Sequence, residues 1–194
     1  MTCSTCREIS VSSSSVACFM HEWKGVISLA RQMNLAVDWR LLVLIAVANA
    51  MPIVGKDVLG LRYAVPLDGR LNFVDGQRLF GRAKTLRGIF LALVVTAIIS
   101  PIVGIAWKIG LLIAAAAMIG DLLSSFLKRR VGLPESSMAV GLDQIPESLF
   151  PMVVCPFFFP LTAVDIACVV IAFFLGELVL SRLLHKLHMR DEPY

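Results

Sequence analysis

The chain has 194 residues, of which 58% are hydrophobic and only 16% charged, against roughly 25% charged residues in an ordinary soluble domain. A soluble fold of this length must cover its surface with charged groups, so the composition excludes one and points to lipid as the solvent. The formal charge of +4 does not mark a nucleic-acid binder, because the basic residues flank long apolar runs instead of forming a basic domain.

Residues 1–36 read as a polar N-terminal extension and residues 37–194 as one membrane domain. The extension contains Ser12 to Ser15 and a CxxC at Cys3 and Cys6. It lacks the basic start and sustained apolar core of a signal peptide, and no second cysteine pair or histidine is spaced to complete a zinc site.

A spanning helix needs about 20 mostly apolar residues, since each adds about 1.5 Å across a hydrocarbon core of about 30 Å. The first candidate runs from about Val37 to Val54, the second from Gly88 to Trp107 and the third from Ile109 to Leu127. The stretch from Ile145 to Leu184 is too long for one span and carries Pro146, Pro151, Pro156 and Pro160. Dividing it near Pro160 to Asp165 gives an all-α integral membrane protein of about five transmembrane helices with cytoplasmic polar loops.

Short loops rich in Lys and Arg stay cytoplasmic. The loop after the first span holds seven such residues, Lys56, Arg62, Arg70, Arg78, Arg82, Lys84 and Arg87; Lys128 to Arg130 follow the third span, and Arg182, Lys186 and Arg190 lie in the tail. The other side receives Arg7, Lys24, Arg31, Arg40 and Lys108. This predicts a plasma (inner) membrane protein with its N-terminus outside and its C-terminus inside, which agrees with an odd number of spans.

Chemistry concentrates in three polar segments on the cytoplasmic side. In GDLLSSFLKRR, Gly120 to Arg130, helical spacing puts Asp121, Ser125 and Lys128 along one side. A carboxylate within a span costs a few kcal/mol and normally faces a polar cavity or partner. Lys128 to Arg130 are also what an ordinary positive-inside stop looks like. The loop Pro66 to Gly88 combines Asp68, Asp75, Lys84 and Arg87 with Gly69, Gly76, Gly81 and Gly88. Carboxylates suit a hard cation and Lys and Arg suit phosphate oxygens, yet GxxxxGK[ST] is absent and the loop also suits plain headgroup binding. In GLDQIPE, Gly141 to Glu147, Asp143 can share a cation with Asp121 or simply cap a helix whose first turn holds Pro146 and Glu147. Asn49 near Pro52 either bonds a freed backbone group or lines the site. Glu177 has Arg182 as an available partner, and Asp165 reads as a helix-start residue.

These segments resemble the CDP-archaeol synthase family, related to the phosphatidate cytidylyltransferases, over about Ala48 to Gln144. The resemblance rests on ANAMP at Ala48 to Pro52, PLDG at Pro66 to Gly69, DGQRLFGRAKTLRG at Asp75 to Gly88, GDLLSSFLKRR at Gly120 to Arg130 and LDQ at Leu142 to Gln144. It implies a five-helix membrane enzyme that uses magnesium and CTP to convert a phosphorylated glycerolipid of the membrane into its CDP-activated form, releasing pyrophosphate. Carried onto this chain, Asp121 and Asp143 would bind magnesium. Lys84, Arg87, Lys128 and Arg129 would hold the triphosphate or lipid phosphate, and Asn49, Asp68, Asp75, Ser125 and Arg130 would line the substrate site. The chain departs from the family at Arg82 and Ala83, where an acidic residue and glycine usually precede the KT pair. It departs again at Pro146, where an aspartate is common and where Glu147 or Asp75 would have to compensate.

Two rival readings have other residues in view. A small transporter would line a path with Asn49, Asp121 and Glu177, and a catalytically idle lipid-binding or scaffold protein would keep the loops and lack the transfer. Ether-linked isoprenoid and ester-linked acyl lipids both suit the apolar helices, and a homo-oligomer is compatible with the sequence.

Overall fold

A computed structural model describes residues 34–60, 65–69, 78–81, 83–133 and 139–186, with side chains to residue 182. The expected Asp75 site residue and the departing Arg82 lie outside the described residues, as does the CxxC. Five α-helices make up the described fold: α1 Leu35–Leu59, α2 Leu86–Ile102, α3 Trp107–Arg130, α4 Gln144–Val154 and α5 Ala163–Lys186. No strand is formed among the described residues; one isolated bridge pairs Pro66 with Thr85.

Three of these helices, α1, α3 and α5, are long and apolar enough to cross a membrane, and α2 is a shorter apolar helix. The chain is an integral membrane protein of the all-helical kind that the apolar runs predict. Helix α3 is the centre of the bundle: 56% of its apolar window is buried, against 28% in α1 and 17% in α5. It packs on α4, α2 and α1, while α5 closes against α4 and α1. The core between them gathers Leu41, Leu44, Ile45, Ile105, Ile113, Met152, Val169 and Phe173.

The fourth element differs from the apolar run expected at Ile145 onward. Helix α4 has 11 residues, about 17 Å at 1.5 Å each, so it reaches only about half of a 30 Å core. Pro151 lies inside it, and a 3₁₀ turn at Cys155–Phe157 with Pro156 ends it. Proline removes the amide that would continue the hydrogen-bond ladder. The segment then continues through this 3₁₀ turn and an irregular stretch up to the start of α5.

Helix ends are set by local chemistry. Thr85 starts α2 by accepting the amide of Gly88 at 3.2 Å. Gly104, at φ 80°, ends it, with the Gly104 amide donating to the Pro101 carbonyl at 3.0 Å and the Ile105 amide to Ser100 at 2.9 Å. This is a glycine-ended Schellman turn. The same geometry ends α3 at Gly132, φ 75°, where the Leu133 amide reaches the Lys128 carbonyl at 3.0 Å. Helix α5 begins with a capping box: Asp165 Oδ2 accepts from the amide and hydroxyl of Thr162 at 2.7 and 2.8 Å, as its reading as a helix-start residue requires.

Small residues let the helices approach closely. Ala48, Ala114 and Ala117 form a second core where α1 meets α3. Gly120 goes further, because a Cβ there would collide with the Pro146 carbonyl and lie 3.0 Å from the Glu147 Cα. That contact brings the start of α4 onto the Asp121 turn of α3.

Candidate functional site

The Lys128 to Arg130 triplet continues α3 as its last turn, where positive charge is favourable at the helix C-terminus. Asp121, Ser124, Ser125, Lys128 and Arg129 are all buried on this stretch. A run of buried polar groups on an apolar helix needs partners, because unpaired charge in a low-dielectric setting costs several kcal/mol. The partners come from other segments.

Asp121 receives Lys84, whose Nζ lies 2.5 Å from Oδ1 and 2.6 Å from Oδ2. Lys84 precedes the Thr85 cap of α2 and is held there by backbone pairing, since the Leu67 amide donates to the Lys84 carbonyl at 2.9 Å and the Leu86 amide to Val65 at 3.1 Å. The same pairing brings the PLDG segment alongside, with Asp68 3% exposed. Lys128 meets Asp143, with Nζ 2.9 Å from Oδ2. Asp143 Oδ2 also accepts the Ala139 amide at 3.1 Å.

Two ion pairs, Lys84 with Asp121 and Lys128 with Asp143, thus lie at the cytoplasm-predicted end of α3. Asp143 stands at the N-cap position of α4 but makes no side-chain cap bond. The capped-helix reading is corrected: the carboxylate is turned toward Lys128 and the Ala139 turn. Gln144 is fully buried beside it and accepts the Gly141 amide through Oε1 at 2.7 Å.

The other expected residues divide into two groups. Ser125 and Arg129 are buried on α3 with the ion pairs. Arg87 and Arg130 hold backbone: Arg87 donates to the Gly60 carbonyl at 3.0 Å, and Arg130 donates to the Arg78 carbonyl at 2.9 Å while stacking over Phe126. Both therefore shape the loop that carries Lys84. Asn49 donates to the Ile45 carbonyl at 3.1 Å, a back-bond within α1. The carbonyl that Pro52 leaves without its helical donor is that of Ala48, so Asn49 does not serve it.

Glu147, which the sequence offered only as a first-turn acid or a compensating carboxylate, is 7% exposed and interacts with Asp121, Glu177 and Lys84. Sequence spacing missed Ser124, whose hydroxyl donates to the Asp121 carbonyl at 2.9 Å. The available signal for Glu147 was its place one helical turn after Asp143.

Alternating cations and carboxylates suit phosphate chemistry: each lysine can move to a phosphate oxygen and leave its carboxylate free for a hard cation. No three His, Cys, Asp or Glu side chains among the described residues form a ready-made metal cage. Asp121 and Asp143 are single carboxylates of the type magnesium uses, since that ion commonly takes one or two carboxylates and completes its shell with water and substrate phosphates.

Residues 33–194 match the family described as CarS-like, CDP-archaeol synthase. The chain is 42% identical over 90 residues to a CDP-archaeol synthase of Saccharolobus islandicus (strain L.S.2.15 / Lassen #1), covering 44% of this chain and 54% of that protein. It is 37% identical over 107 residues to that of Pyrococcus furiosus, covering 50% and 60%. The chain thus spans about half the length of the curated relatives it matches. A solved structure of an intramembrane enzyme for archaeal membrane lipids biosynthesis superposes with a TM-score of 0.62 at 25% identity, over 72% of this chain and 89% of that one.

Proposed function

The chain belongs to the CarS-like CDP-archaeol synthase family, and from that premise we propose that it transfers the cytidylyl group of CTP to a phosphorylated glycerolipid. The observation that carries this reading is the double ion pair, Lys84 with Asp121 and Lys128 with Asp143, on the buried polar end of an otherwise apolar helix. A transporter path would instead need polar groups continuing along the helix, and α3 between Ile109 and Ile119 is apolar.

In the proposed reaction an oxygen of the lipid phosphate attacks the α-phosphorus of CTP. The bond to the bridging oxygen breaks, and its electron pair leaves with pyrophosphate. No covalent protein nucleophile is needed, so the protein's task is positioning and charge neutralisation. Lys84 and Lys128 would turn from their carboxylates to phosphate oxygens as the nucleotide enters. Arg129 would add charge from the same turn of α3, while Arg87 and Arg130 hold the loop and Ser125 and Asp68 line the site. Asp121 and Asp143, relieved of their lysines, would hold magnesium. When bound, the cation would offset the charge of the departing pyrophosphate.

The site would face the cytoplasm, where CTP is made, with the N-terminus outside and the C-terminus inside, and the lipid would enter from the surrounding bilayer. Transfer of radiolabel from α-labelled CTP into lipid by the purified protein tests the reading. Label should enter the lipid fraction only when a phosphorylated glycerolipid and magnesium are both present. Phosphatidic acid and phosphorylated isoprenoid glycerol ether, assayed side by side, identify the lipid class.

A further inference from the structure

Glu147 has no part in the reaction as described above, yet it is placed at its centre. It lies in the first turn of α4, 7% exposed, with its carboxyl in hydrogen-bonding interaction with Asp121 of α3 and in electrostatic contact with Glu177 of α5 and Lys84. The approach is built into the backbone: Gly120 has no Cβ to hold the Pro146 carbonyl and the Glu147 Cα away from α3. Lys84 already bonds both oxygens of Asp121, and the same ammonium acts on the neighbouring Glu147 carboxyl. Two carboxyls this close share a proton or take a cation between them, because like charges disfavour the doubly ionised pair. Asp143 has an ammonium of its own, with both oxygens 2.9 Å from the Lys128 Nζ and one of them also accepting the Ala139 amide.

We infer that Glu147 is a cation ligand, which with Asp121 clamps one hard divalent ion across the α3–α4 contact. The inference rests on the proposed cation-and-phosphate reading of the site and deepens it. Lys84 is the resident counter-ion of this clamp and competes with the metal until nucleotide phosphates draw it away. Two substitutions therefore act in opposite directions on metal affinity. Glu147→Gln removes an oxygen anion and weakens binding, whereas Lys84→Met removes the competitor and strengthens it.

The test is titration of manganese(II), read by electron paramagnetic resonance, into the purified full chain in detergent without nucleotide or lipid. Wild type should bind the ion. Lys84→Met should bind it more tightly, and Glu147→Gln in that background should lose at least about tenfold in affinity, with Glu147→Asp in between. Circular dichroism and gel filtration establish that each variant is folded. Folded Glu147→Gln binding manganese as well as its parent would overturn the inference, as would wild type and Lys84→Met that both fail to bind it. Metal binding that depends on Glu147, in a protein that leaves CTP untouched, would uphold the clamp and defeat the transferase reading alone.

Discussion

Lys84 and Asp121, 37 residues apart in sequence, meet through both carboxylate oxygens at 2.5 and 2.6 Å. One lies just before the cap of α2 and the other inside the most buried helix, so the contact joins the polar loop to the bundle. Its two halves should fail differently. Asp121→Asn removes a proposed metal carboxylate and should lower CTP turnover on the order of 100-fold or more. Lys84→Met should raise the KM for CTP and weaken the mutual dependence of nucleotide and magnesium binding, which is reciprocal by linkage. Calorimetric titration of CTP with and without magnesium measures that dependence.

Gly120 should tolerate no side chain. A methyl group there meets the Pro146 carbonyl, and overpacking of this kind costs about 1–3 kcal/mol. Gly120→Ala should lower the unfolding temperature in detergent and reduce activity beyond what the lost folded fraction accounts for, because α4 carries Glu147 and Asp143. Gly176→Ala, where an added Cβ meets nothing within 4 Å, should leave stability nearly unchanged.

The second ion pair predicts an asymmetry of its own. Lys128→Met leaves Asp143 buried with only the Ala139 amide, whereas Asp143→Asn keeps a group able to accept that amide. Removing one partner from a fully buried pair costs roughly 3–5 kcal/mol, and this pair is slightly exposed, so the loss should be smaller. Thermal unfolding should rank Lys128→Met below Asp143→Asn. The double variant Lys128→Met with Asp143→Asn should recover part of the difference.

Orientation can be read from two exposed positions at opposite ends of the helices. Ile102 ends α2, and Val140 precedes α4; they are 79% and 52% exposed. In a cysteine-free background, Ile102→Cys should react with an impermeant maleimide on intact cells. Val140→Cys should react only after permeabilisation.

The helices and the polar end of α3 were legible because their signals are local: apolar length, and Asp121, Ser125 and Lys128 at helical spacing. Asp165 as a helix-start residue was equally local, although its Thr162 partner was not named. Partner choice was not legible. Nothing in the order of residues says that Lys84 reaches Asp121, because that contact depends on the Pro66 and Thr85 pairing and on where α2 enters. Glu147 read as a first-turn acid or a compensating carboxylate with no partner named, because its neighbour is supplied by another helix through the missing side chain of Gly120. The proline-rich stretch after Gln144 read as one continuous helical span, and its α-helix is short because Pro156 lacks the amide that would extend it beyond Val154.

The central claim is that the paired charges at the end of α3 carry cytidylyl transfer, and pyrophosphate release tests it most directly. Purified wild-type protein in nanodiscs should release pyrophosphate from CTP only with magnesium and a phosphorylated glycerolipid, and Asp121→Asn should not. The lipid panel should contain phosphatidic acids and phosphorylated isoprenoid glycerol ethers. Folded, magnesium-binding wild-type protein that releases no pyrophosphate with any lipid of the panel would contradict the account.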